Sequence, residues 1–145
     1  MSQPRDLLPE LALWADHQPI TVEAWLAQIA RSDEAMGFCA VLWPAFETVG
    51  DMVFRAPFDH QRMSGWSRLL HSRRDIEHAL NQFDLTAFFT AGPEPVPIAR
   101  ERRLALARTM VEMLELKLAR DLPDRQFTVA LIDVGAATGV TFYQT

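Results

Sequence analysis

The chain has 145 residues, 49% of them apolar and 23% charged, with a formal net charge of −5. That length suits one domain, and that balance suits a packed core, because disordered chains combine low hydrophobicity with high charge. No apolar run nears the ~20 residues of a membrane span, the opening MSQPRDLLPE lacks the pattern of a secretory leader, and the single Cys39 fits a reducing compartment. A cytoplasmic protein with no membrane association is expected.

Pro4, Pro9 and Pro19 frame an apolar patch of Leu7, Leu8, Leu11, Leu13 and Trp14. Pro9 suits the first turn of a short helix running to about Asp16. Thr21 can cap a second helix, with Val22, Trp25, Leu26 and Ile29 along one face, and Ser32-Asp33 closes it or caps a further turn. Gly37 and Pro44 bracket FCAVLW (38–43), an apolar run that reads as a buried strand. AFETV and MVFRA then flank Gly50-Asp51 as a hairpin, with glycine in the first position of a type II′ turn and Glu47 opposite Phe54. A helix over residues 33–48 competes with this reading, but Gly37 and Pro44 weigh against it.

Residues 64–83 read as one helix with Trp66, Leu69, Ile76, Leu80 and Phe83 gathered on one side. A brief helical stretch follows at 85–89, and GPEPVP (92–97) forms a stiff connector. Pro97 opens the longest helix, which runs to about residue 120 with Leu104, Ala107, Met110, Val111, Leu114 and Leu118 as its apolar stripe. Leu106, Met113 and Leu116 widen that stripe, leaving a narrow polar strip in which Arg108 and Glu112 are spaced for an ion pair. So little polar face implies cover on more than one side, by this chain's own elements or by a second copy. Leu122-Pro123-Asp124 stops the helix, and FTVALIDV (127–134) and GVTFY (139–143) read as antiparallel strands around residues 135–139. The expected fold is α+β and a single domain over residues 1–145. An antiparallel sheet, from the 38–56 region plus the C-terminal hairpin 127–144, packs against about three main helices.

In isolation LIDVGAATG (131–139) is similar to the glycine-rich first loop of Rossmann-type methyltransferases, where D-x-G-x-x-x-G surrounds an adenosyl cofactor. It also loosely resembles the first phosphate loop of actin-like ATPases. Such loops work by presenting the N-terminus of a following helix within a wider parallel sheet. Here the residues after Gly139 favour a strand, and Ala137 stands at the middle glycine of the methyltransferase pattern. A hairpin loop and no cofactor are expected.

Residues 1–59 hold three arginines against nine acids, a net −6, whereas residues 60–125 hold eleven basic residues against nine acids, a net +2. The acidic total argues against a nucleic-acid partner, because phosphate attraction dominates that affinity. The basic residues concentrate in HQRMSGWSRLLHSRR (60–74) and IARERRLALAR (98–108). His71, Asp75 and His78 share one helix face at i, i+4 and i+7, yet seven residues rise about 10.5 Å, too far for both histidines to hold one ion. No metal site is expected there. Cys39 lies in an apolar run whose burial would quiet it, and no nucleophile elbow, P-loop lysine, H-E-x-x-H or C-x-x-C motif occurs.

These features point to a non-enzymatic bacterial accessory protein acting by protein–protein interaction, immunity- or adaptor-like, with aromatic and arginine anchors. An exposed C-terminal strand edge and the apolar long helix suggest a homodimer. The alternative is a small anion- or ligand-binding protein or enzyme using the helix at 60–78, with Arg62, Arg68, His71, Arg73, Arg74 and His78 as contacts.

Overall fold

The computed structural model describes residues 3–13, 20–90 and 96–145. The expected end of the first helix near Asp16 and most of the 92–97 connector lie outside them. A 3-10 turn (Pro4–Leu7) leads into α1 (Glu10–Leu13), α2 (Val22–Ile29) and α3 (Ser32–Leu42). The hairpin β1 (Phe46–Val49) and β2 (Met52–Arg55) precedes α4 (His60–Trp66) and α5 (Arg73–Leu80). Then come β3 (Phe83–Asp84), α6 (Leu85–Phe88), α7 (Val96–Asp121), β4 (Phe127–Val134) and β5 (Ala137–Gln144). The class is α+β with antiparallel strands, but the strands divide between two sheets, β1-β2 and β3-β5-β4.

Two local expectations need correction. Residues 38–42 belong to helix α3 and not to a strand. Gly37 costs a helix only about 1 kcal/mol, and Pro44 follows the last turn, where it stops a helix without kinking it. Asp33 and Glu34 in the first turn favour the positive helix end. Cys39 is accordingly exposed, not buried. The second correction concerns 64–83, which is two helices with a break between. Ser72 caps the second one, its hydroxyl accepting from the Asp75 N–H at 3.0 Å and donating to the Asp75 carboxylate at 2.6 Å. That serine–aspartate reciprocity starts a new helix where periodicity alone reads one cylinder.

Both hairpins close through two-residue turns. Glu47 pairs with Phe54 and Val49 with Met52 around Gly50-Asp51, and Val134 pairs with Ala137 around Gly135-Ala136. Gly50 and Gly135 take φ of 63° and 61°, the left-handed region that glycine enters without penalty. The second turn is shorter than the loop expected at 135–139. Gly139 lies within β5, where a Cβ would stand 2.5 Å from the Phe83 carbonyl oxygen, so its bare backbone admits β3.

The β4-β5 register leaves the N–H and C=O groups of residues 138, 140, 142 and 144 on the far edge of β5. β3 pairs along part of that edge, at Gly139 and Val140. Beyond it, α5 supplies side chains in place of a strand. Glu77 is fully buried, and its carboxylate accepts from the Val53 N–H of β2 at 2.8 Å and the Gln144 N–H of β5 at 2.8 Å. The Gln144 side-chain amide donates to it at 2.6 Å. One turn later, the Asn81 amide donates to the Val53 and Phe142 carbonyls at 2.9 and 3.2 Å and accepts from the Arg55 N–H at 3.3 Å. The two sheets are thus joined by side chains of one helix.

α7 lies across the larger sheet, with Ala107, Met110, Leu114 and Leu118 buried against Val140 and Phe142. Val41 and Leu42 of α3, Leu85 of α6 and Val53 of β2 complete this core, while Phe54, Ile76 and Leu80 form a second cluster under α5. The apolar stripe of α7 is therefore covered by several of the chain's own elements, while Leu116 on its widened side stays 65% exposed. Its ion pair joins Lys117 to Asp121, and Lys117 also faces the Trp43 and Phe46 rings at 5.7 and 5.9 Å. Arg108 and Glu112 are exposed.

Glu77→Gln places an amide NH2 against donors already aimed at the carboxylate, so about 2–3 kcal/mol of stability is lost. Urea unfolding should show a lower midpoint with an unchanged slope. Gly139→Ala forces β3 away and costs about 1–3 kcal/mol by overcrowding, measured the same way.

Candidate protein-interaction surface

The Arg/His segment does not converge on one site. Arg62 on α4, Arg68 in the following turn and His71 before α5 are all exposed. Arg73 extends to Asp51 in the β1–β2 turn, 3.4 Å away. Arg74 and His78 do meet, because α5 carries both toward Tyr143 of β5. The Arg74 guanidinium stands 4.7 Å above the Tyr143 ring and donates to its hydroxyl at 3.3 Å, and the His78 ring lies 5.5 Å from the same ring. Asp75 is held by the Ser72 cap. The break before α5 also takes His71 off the helix that carries Asp75 and His78, so the i, i+4, i+7 face does not exist.

A different surface stands out. Thr21 caps α2 as expected, its hydroxyl accepting from the Ala24 N–H at 3.1 Å. Val22, Trp25, Leu26 and Ile29 then share one face by their 3.6-residue spacing. Yet neither α2 nor α3 contains a single buried residue. Leu26 and Ile29 are 41% and 45% exposed, and Met36 on α3 is 67% exposed. Only the C-terminal end of α3 is anchored, by Val41 and Leu42 on the core and by Phe38 stacked 6.2 Å from Phe89. The rest of both helices forms an arm with an apolar face open to solvent. Glu23, Glu34 and the Arg31–Asp33 ion pair at 2.7 Å give it an acidic balance, and the adjoining Arg31 guanidinium holds the Asp33 carboxyl below its ordinary range.

Arg55 was not singled out by the sequence. It bridges the two sheets, its guanidinium 4.7 Å over the Phe83 ring, and burial pulls its pKa down to about 10, so it remains charged at neutral pH. Two concavities lie elsewhere. One groove of about 210 Å³ runs between the N-terminal turn and α7, lined by Leu7, Leu8, Leu106 and Thr109. A second of about 230 Å³ lies by β3, lined by Phe83, Ile132, Val134 and Thr138. Both fall short of the ~300 Å³ at which pockets begin to enclose small-molecule ligands. Searches against protein-family descriptions, curated proteins and solved structures find no match to the chain. No helix among the described residues is long and apolar enough to cross a membrane.

The groove beside α7 is held shut at one end by Arg102, which donates to the Leu7 carbonyl at 2.8 Å and to both Glu10 oxygens at 2.7 Å. Burial raises the Glu10 carboxyl, but the Arg102 hydrogen bonds and charge outweigh it and leave the pKa below its ordinary value. A lowered folded-state pKa gives stability that is complete above the ordinary glutamate value of about 4.3 and disappears as pH falls through the folded one. Protection factors at the Leu7 and Leu11 amides, exchange rates taken relative to the intrinsic rate at each pH, should therefore fall on acidification through that window. Glu10→Gln should make the protection independent of pH there.

Proposed function

We propose that the chain is a non-enzymatic bacterial accessory protein that acts in the cytoplasm by binding another protein, as an immunity or adaptor module, and that it also associates with itself. One observation carries the binding role: the apolar face of the α2–α3 arm, which the fold leaves unused. Solvent-facing apolar residues grouped on one helix face, rimmed by charge, are the usual form of a helix-mediated contact. The acidic rim favours a partner with an apolar groove edged by Lys or Arg. The exposed thiol of Cys39, on the anchored end of α3, is compatible with a reducing compartment.

The arrangement of Arg74 and His78 on Tyr143 supports a second reading, a small anion-binding site at α5. The two readings separate by experiment. A photo-crosslinking residue at Met36, installed in the source cells, should give a discrete adduct with one polypeptide. Leu26→Ser with Ile29→Ser should abolish the adduct while leaving the melting temperature of the purified chain within the small range of surface substitutions. No adduct at Met36, together with stabilisation by inorganic phosphate that Arg74→Ala removes, overturns the first reading in favour of the second.

A further inference from the structure

We infer that β4 is the surface through which two copies of this chain join, by antiparallel pairing of the two β4 strands about a two-fold axis at Val129. The inference rests on the self-association proposed above and assigns it a site. The β4-β5 register turns the N–H and C=O groups of Phe127, Val129, Leu131 and Asp133 away from β5. None of these eight groups has a hydrogen-bond partner among the described residues. The contrast with β5 is sharp, since its outer edge is filled by β3, by Thr86 donated to from the Thr138 N–H at 2.9 Å, and by Asn81 and Glu77. β4 also has few of the usual guards of a free edge, with no proline, no lysine and no bulge in its eight paired residues and Asp133 as its one charge.

The occupant follows from the charge pattern. From residue 125 to 134 the only charged residues are Arg125 before the strand and Asp133 near its end. Antiparallel self-pairing centred on Val129 places Arg125 opposite Asp133 of the second copy, twice by symmetry, where it adds to the ion pair Asp133 already makes with Arg100 of its own chain at 3.0 Å, with Phe127 opposite Leu131 between them. A two-residue shift toward the C-terminus loses both charge pairs, and a parallel arrangement sets like charges side by side. Arg125 uses Nη1 for the Asp51 carbonyl at 3.0 Å and Gln144 Oε1 at 3.4 Å, so its remaining donors can turn outward. The joined sheet runs β3-β5-β4-β4-β5-β3. Its new outer strand is the two-residue β3, too short to template another chain, so assembly closes at two copies.

Sedimentation equilibrium of the full chain should report a dimer. Leu131→Pro removes only an outward N–H, a position where edge strands tolerate proline, and should give a monomer with unchanged circular dichroism and melting temperature. If that variant unfolds, Leu131→Lys makes the same test by charging the edge. In a mixed sample of labelled and unlabelled chains, the register predicts an intermolecular Hα–Hα contact between Thr128 and Ala130. A monomer at the highest soluble concentration overturns the inference. So does a dimer that ignores both Leu131 variants, or one lacking the Thr128–Ala130 contact. Leu26→Ser with Ile29→Ser should leave the dimer intact, so failure here and failure of the α2–α3 arm are read separately.

Discussion

The fold turns on one buried carboxylate. Glu77 faces backbone donors from two sheets that share no ladder, and Asn81 repeats the bridge one turn along. The geometry works because four residues of helix rise about 6.0 Å while two residues of strand rise about 6.6–6.8 Å. Side chains at i and i+4 therefore meet every second backbone position of a neighbouring strand edge. An isolated two-stranded hairpin is marginal in water, so β1–β2 owes its place to this helix and to Phe46 and Phe54, which carry it into the two apolar clusters. Without the carboxylate, buried N–H groups on β2 and β5 would face each other across a gap with no acceptor.

The molecule divides by how its apolar residues are used. From β1 onward, they close around α5, α7 and the two sheets. Before β1, α2 and most of α3 contribute almost nothing to that core, and Leu26, Ile29 and Met36 stay in contact with water. Stability and recognition are thereby carried by different segments. Substitutions on the arm can alter binding with little effect on folding, whereas substitutions on α5 disturb both sheets.

What could be read from the sequence was what local chemistry decides. Gly50-Asp51 with its register, the C-terminal hairpin, the Thr21 cap and the span of α7 all depend on neighbouring residues. FCAVLW misled because a short apolar run carries no period, and the acids that start the helix, Asp33 and Glu34, lie upstream of it. The break before α5 was hidden by the apolar spacing of Trp66, Leu69, Ile76 and Leu80 over what are two helices; the Ser72–Asp75 cap was the available signal. The stripe on α2 was visible, but periodicity looks the same whether a face meets a core or a solvent. Glu77 was invisible for another reason. Its role is set by strands 24 and 67 residues away in sequence, and a lone glutamate on a polar helix announces neither.

Thirteen of the fourteen basic residues are arginines, which leaves Lys117 as the sole side-chain amine. It is 14% exposed, paired to Asp121 and enclosed by the Trp43 and Phe46 rings. Acylating reagents and the enzymes that acetylate or ubiquitinate lysine thus meet one ε-amino target within this sequence, already sheltered on three sides. Tagging or immobilising the protein through lysine would have to pry open that aromatic niche.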